Sequence, residues 1–377
     1  MKEVPFYKPL TDKMEFTYIS EVLEGNKPSK IDQLEESAAK FIGSKYAIAT
    51  YNGTAALHLA MCALNMKRGD KFICSVNSAP TVAEVVRHFD AEPIFVDIDT
   101  DDFNMDIAKL EQTLAKETHK KLKGILVPHV GGQPSDMNPI YELAKKYNVE
   151  VIDDAVSAFG AVYNDKKIGT LDSAMSCFRF SLQLRYSIGG GGIITMADEE
   201  LYKRAKLLMN HAIVSNGWDK YGNLGYIYDV VDIGVKYDIN EISAAYVLGQ
   251  IEKTNKTIAR RKKIAAIYNE AFEDCHNIKT PVVKREHIYT QYIIKVNKNR
   301  DKFAKDLKEA GIFTGLHYIP LHLLTYYKTK YGLKVNDFPS ALTNYQQILS
   351  LPIYAAMSDD DVEYVCETVK KIAKHSV

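Results

Sequence analysis

The turn Tyr51-Asn-Gly-Thr54-Ala55 leads from an apolar, strand-like run into the helical pattern Ala-Leu-His-Leu-Ala. The first amides of such a helix have no carbonyl partner, so Thr54, Ala55 and the helix dipole could together hold a phosphate. Taken alone, the pattern is more often a plain turn with an N-cap. A second feature is Val151-Ile-Asp-Asp154, which ends another strand-like run. Ligand crevices of open α/β sheets lie beyond the carboxyl ends of the strands, so Asp154 could face a cationic ring nitrogen there. It could equally cap a helix or pair with a neighbouring cation. Further acid or base candidates are His211, His317, His322 and Tyr186. The most informative feature is an absence: no lysine lies between Lys167 and Lys203, and no histidine between His129 and His211.

These groups need a frame, and the first 200 residues supply an alternating one. Strand-like runs at 46–51, 72–75, 93–98, 124–130, 150–155, 173–180 and 192–196 are separated by helical patterns. That alternation predicts an α/β fold whose mainly parallel sheet carries helices on both faces. From 240 to 272 the spacing of Ile242, Ala245, Leu248 and Ile251, then Ile264, Ile267 and Ala271, predicts helix. The basic run Arg260-Arg261-Lys262-Lys263 within it reads as a solvated face. Strands over 288–296 and 313–318 and helices over 302–310 and 359–374 complete a smaller α+β unit. The expected division is 1–250 for the large domain and 251–377 for the long helix and the small C-terminal domain.

The 377 residues balance 48 Lys and Arg against 48 Asp and Glu, which leaves no net field for nucleic acid or an anionic membrane. Five scattered cysteines, without a C-x-x-C pair, argue against a disulfide framework or a metal site and fit a reducing cytoplasm. No apolar run reaches the roughly 18 residues of a membrane span, and the N-terminus lacks a signal-like segment. A small-molecule partner is the default.

Ordered matches run nearly end to end. They are Asn52-Gly-Thr-Ala-Ala-Leu-His-Leu, Pro93-Ile-Phe-Val-Asp-Ile-Asp, His129-Val-Gly-Gly-Gln-Pro-Ser-Asp-Met, Ile152-Asp-Asp-Ala-Val-Ser157-Ala-Phe-Gly-Ala, Phe178-Arg-Phe, Gly189-Gly-Gly-Gly, Gly234-Val-Lys-Tyr, His317-Tyr-Ile-Pro-Leu-His322 and Leu349-Ser-Leu-Pro-Ile. Together they resemble the DegT/StrS family of nucleotide-sugar aminotransferases. The resemblance implies a fold-type I, aminotransferase-like architecture with a mainly parallel seven-stranded sheet and a smaller C-terminal domain. It also implies a homodimer with a shared cleft, lined here by Thr54, Ala55, Asp154, Ser157, Arg179, Leu184 and Lys236.

Against that family pattern, Leu184 stands at the position of the Schiff-base lysine that anchors pyridoxal phosphate (PLP). A one-residue slip would offer Arg185, whose guanidinium stays protonated. Arg179 replaces the serine that holds the cofactor phosphate, and Lys236 replaces an asparagine reaching in from the partner subunit. No aromatic residue lies between Ile73 and Val82 to stack on a ring. These departures lead to the expectation that no cofactor is bound, PLP or pyridoxamine phosphate (PMP) being admitted only if held non-covalently.

The expected ligand is a nucleotide sugar or other phosphate-bearing sugar. Arg179 and Lys236 could grip its phosphoryl group, or Arg179 could fill the old pocket and pair with Asp154. The functions left open are a PLP-independent sugar-modifying enzyme, a non-catalytic regulatory partner, and a non-covalent PMP- or PLP-dependent dehydratase or aminotransferase.

Overall fold

Apolar runs bounded by turns become the strands of one large sheet. The computed structural model describes residues 2–25, 28–117, 121–181, 190–215 and 228–375. The sheet comprises β1 (Tyr46–Thr50), β2 (Lys71–Ser75), β3 (Glu92–Val96), β4 (Leu122–Pro128), β5 (Glu150–Asp154), β6 (Met175–Ser181) and β7 (Gly190–Met196). Their order is β1-β7-β6-β5-β4-β2-β3. The strand β7 runs antiparallel to both its neighbours, and the remaining pairings are parallel. The chain therefore has the α/β, mainly parallel seven-stranded sheet that the resemblance implied.

Both faces of this sheet are covered, as parallel strands require. Ala47, Ala49, Ile73, Ile125, Val127 and Val151 pack into one apolar core. Their chain neighbours Ile48, Phe72, Cys74, Leu126 and Ile152 pack into a second core on the other face. Two N-terminal helices, α1 (Lys13–Leu23) and α2 (Lys30–Ile42), lie against the helix Glu241–Glu252. A capping box between Asp12 and Glu15 starts α1. Glu15 is buried and forms an ion pair with Lys253, which is buried in turn and donates to Leu10 O at 3.0 Å.

A further core gathers Ile264, Ala265, Tyr268 and Phe272 of the helix Thr254–Phe272 with Tyr292, Ile294, Leu349 and Val365. Here Ile278–Lys279, Tyr292–Val296 and Ile348–Leu351 form a three-stranded antiparallel sheet. The strand expected from Ile288 begins only at Tyr292, because the amides of Ile288 and Gln291 donate instead to Gly132 and Gly131, each at 3.1 Å. The strand expected over 313–318 is absent. Its contact with the sheet reduces to a bridge between Gly315 and Ser350, and the next link is made by a side chain, His317 Nδ1 to Ser350 Oγ at 2.8 Å. Among the described residues, no helix is long and apolar enough to cross a membrane, and no group of three or more ligating side chains could hold a metal.

Candidate functional site

The helix α3 (Gly53–Ala63) follows β1 after a two-residue turn. Asn52 caps it, its side chain accepting from Ala55 N at 2.8 Å. The Ala55 amide assigned to a phosphate is thus already bonded, and the free donors are those of Gly53 and exposed Thr54. Arg179 of β6 crosses directly above this turn. A Cβ on Gly53 would lie 2.9 Å from Arg179 Cβ, so the close passage needs glycine. From the other side β7 comes equally close, and a Cβ on Gly192 would lie 2.3 Å from Asn52 O.

Consecutive carboxylates at the end of β5 face different surroundings. Asp153 accepts from Ser173 Oγ at 2.8 Å and Ser176 Oγ at 2.6 Å. Asp154, 8% exposed, has its Oδ1 buried without a partner. Burial pushes its carboxyl up to about 6, against the pull of the Val156 amide, Arg179 and His129. Among the described residues Asp154 forms no ion pair within 4.0 Å, so Arg179 influences it from a distance without being tied to it. His129 accepts from Ser135 N through Nδ1 at 3.1 Å, and its Nε2 lies 3.5 Å from Asp153 without hydrogen-bond geometry.

His317 joins this group. Its ring stacks on Phe6, and burial, reinforced by the charge of Arg179, lowers it to about 4. Tyr318 lies beside Arg179 and Asp154, its hydroxyl raised by burial, and its amide donates to Asn77 Oδ1 at 3.4 Å. Ser157 is buried, with its carbonyl accepting from Thr290 Oγ1 at 2.7 Å. The other candidates do not converge here. His322 is fully buried, bonded through Nε2 to Val335 O at 3.1 Å and packed against Phe338. His211 is exposed on a turn, and Lys236 is tied to Asn210 and Asp238, each at 3.0 Å. Leu184, Arg185 and Tyr186 lie outside the described residues.

A cavity of about 160 Å³ opens beside this cluster, with Arg179, Ser157, Phe180, Lys8, Arg261 and Gln291 among its lining. Arg261 corrects the reading of the basic run as a solvated face. Arg260 reaches Met357 O and Asp359, and Lys262 pairs with Glu286, but Arg261 turns inward. The sequence carried a signal for this: Arg261 precedes buried Ile264, Ala265 and Tyr268 by three, four and seven residues, on one helical face.

With the geometry in place, comparison with known proteins decides the family. The model of the DegT/DnrJ/EryC1/StrS aminotransferase family matches residues 9–370. The chain belongs to that family. An uncharacterized Methanocaldococcus jannaschii protein, MJ1066, is 35% identical over 99% of this chain and 98% of its own length. The spore coat polysaccharide biosynthesis protein SpsC of Bacillus subtilis is 34% identical over 98% of this chain and 97% of its own. Among solved structures, the putative sugar aminotransferase Spr1654 of Streptococcus pneumoniae in its PMP form superposes with a TM-score of 0.91 at 25% identity, covering all of both chains.

These findings overturn the expectation that no cofactor is bound. The family is one of aminotransferases, and the pneumococcal relative is solved in PMP and PLP forms. The residues present fit such a group. The unpartnered Oδ1 of buried Asp154 is an acceptor for a pyridinium nitrogen, and the free amides of Gly53 and Thr54 beside Arg179 suit its phosphate. When bound, the group would supply an electron sink for moving an amino group to or from a carbonyl carbon.

Proposed function

We propose that this member of the sugar aminotransferase family works in nucleotide-sugar or polysaccharide biosynthesis. It acts on a phosphate-bearing sugar and holds PLP or PMP in its cleft without a covalent lysine. The observation that carries the reading is the lysine-free stretch from 168 to 202, aligned by motif with the family's anchoring segment and placing Leu184 at the anchor. Non-covalent holding asks more of the remaining contacts. Asp154 supplies the acceptor for the ring nitrogen, and the Arg179 guanidinium supplies a full charge for a phosphate where a serine would give one neutral bond. His317, lowered to about 4, stays neutral near pH 7 and can hydrogen-bond a ligand beside the cleft without carrying a charge.

The expected assembly is a homodimer, in which Lys236 reaches the partner's cleft. An exposed apolar strip, with Val230 and Val231 each 53% and Ile233 92% exposed, supports it as a surface to be covered. Borohydride treatment of the purified protein followed by peptide mass mapping tests the central claim. Cofactor that dialyses away and leaves no pyridoxyl adduct agrees with it. A phosphopyridoxyl lysine on any peptide would restore a conventional lysine-dependent enzyme.

A further inference from the structure

The cavity described above holds more positive charge than the cofactor reading uses. Its lining includes Lys8, Arg179 and Arg261, and no acidic side chain among the described residues. Arg261 donates from Nε to Ile288 O at 3.1 Å, and no carboxylate lies within ion-pair distance of it among the described residues. Lys262 beside it is a second cation, and Tyr7, a phenol held protonated by burial, offsets only part of the cost of burying the charge. Burial alone is enough to push Arg261 down to about 10. A guanidinium in a partly desolvated wall without a counter-ion is costly unless something anionic arrives.

A second observation points to a ligand at the same wall. Gln291 is 3% exposed, yet neither its Oε1 nor its Nε2 has a hydrogen-bond partner. The Tyr318 hydroxyl is near but does not reach bonding geometry. Nearby groups that could have satisfied the amide are engaged elsewhere, Thr290 Oγ1 with Ser157 O and the Gln291 amide nitrogen of the backbone with Gly131 O. An orphaned carboxamide and an unpaired guanidinium lining one space are complementary to a single oxyanionic ligand that also carries a hydroxyl or amine.

We propose that this cavity is a second oxyanion subsite, in which Arg261 binds a carboxylate or phosphate group of a small ligand and Gln291 bonds a polar group next to it. It borders the seat formed by Arg179 and the first turn of α3, sharing Arg179 as a wall, while its own bonding groups, Arg261 and Gln291, are not those assigned to PLP or PMP. A volume of about 160 Å³ is close to that of engineered cavities that take one benzene-sized molecule. An acid group on a short carbon skeleton fits that volume.

Calorimetric titration of the full-length protein with inorganic phosphate, and separately with succinate, at fixed ionic strength tests this. Running both in an Arg179→Ser background removes the first seat, so that a failure of the proposed function leaves this measurement intact. At least one anion should bind, and adding Arg261→Gln should weaken it about 10- to 100-fold, the usual worth of bonds to a charged group. Phosphate binding alone would assign the group as phosphoryl, and succinate binding would assign it as a carboxylate. Arg261→Lys, which keeps the charge but loses the planar fork, should weaken binding by several-fold and serves if the glutamine variant does not fold. Binding of neither anion, or unchanged affinity in both Arg261 variants, overturns the proposal.

Discussion

Two cations on neighbouring stretches of the same helical region, buried Lys253 and half-buried Arg261, are treated in opposite ways. Lys253 is enclosed by Glu15, by Asp12 at 3.4 Å and by the Leu10 carbonyl, so its charge is answered wholly within the chain. Arg261 has one carbonyl bond and a cavity. The first arrangement holds the N-terminal segment to the body of the protein. The second leaves free energy to be recovered by a ligand, and the same holds for Asp154, whose neighbour Asp153 is fully bonded while it is not. Charges whose partners are built in serve the fold, and those without partners mark where something else binds.

The sharpest way to break this contrast is to remove Glu15. Glu15→Ala should destabilise the protein by about 3–5 kcal/mol, the cost of stranding a buried partner, and chemical denaturation would read it. Anion and cofactor affinity measured on the remaining folded protein should be unchanged. Asp154→Asn should do the reverse. With its folded pKa raised to about 6 from an ordinary 3.8, Asp154 contributes stability that is full below pH 4 and lost as pH rises through about 6. The variant should therefore be more stable than the parent at pH 7, by on the order of 2–3 kcal/mol. That advantage should shrink as pH falls from 6 to 4, and cofactor retention should drop.

Arg179→Ser should weaken a phosphate-bearing ligand by about 1.5–3 kcal/mol with little change in stability, and an unchanged affinity would remove Arg179 from the site. The smallest effect concerns His317. Burial dominates its lowering to about 4 and the Arg179 charge adds to it, so Arg179→Ser should raise the imidazole pKa only part of the way to 6.5. Titration of its ring protons by NMR would show this, and no shift would place Arg179 farther from His317 than the structure does.

Much of the architecture could be read from the chain because buried parallel strands leave continuous apolar runs. Val151-Ile152 is an example, its two residues entering opposite cores. Asp154 and Arg179 stood out through motif order, and the structure places Arg179 near enough for its charge to act on the buried Asp154 carboxyl. What failed was inference across space. His322 has the same motif support as His317, yet it is buried behind Phe338, a packing fact with no local signature. Arg261 was hidden by its basic neighbours, although helical phase distinguishes it from them. The strand expected over 313–318 had suitable residues but only a short opposing edge, and a histidine–serine bond took over its attachment.

The two aspartates that close β5 carry one more consequence. Because successive side chains of a strand point to opposite sides, the serine-bound carboxylate and the orphaned one owe their assignments only to parity. Inserting one residue ahead of Asp153 would bring Ile152 opposite the serines, which would lose their acceptor, and deleting one would bring Ala155 into the crevice, which would lose its carboxylate. Substitutions can tune this crevice, but its function has no tolerance for a change in chain length at that strand.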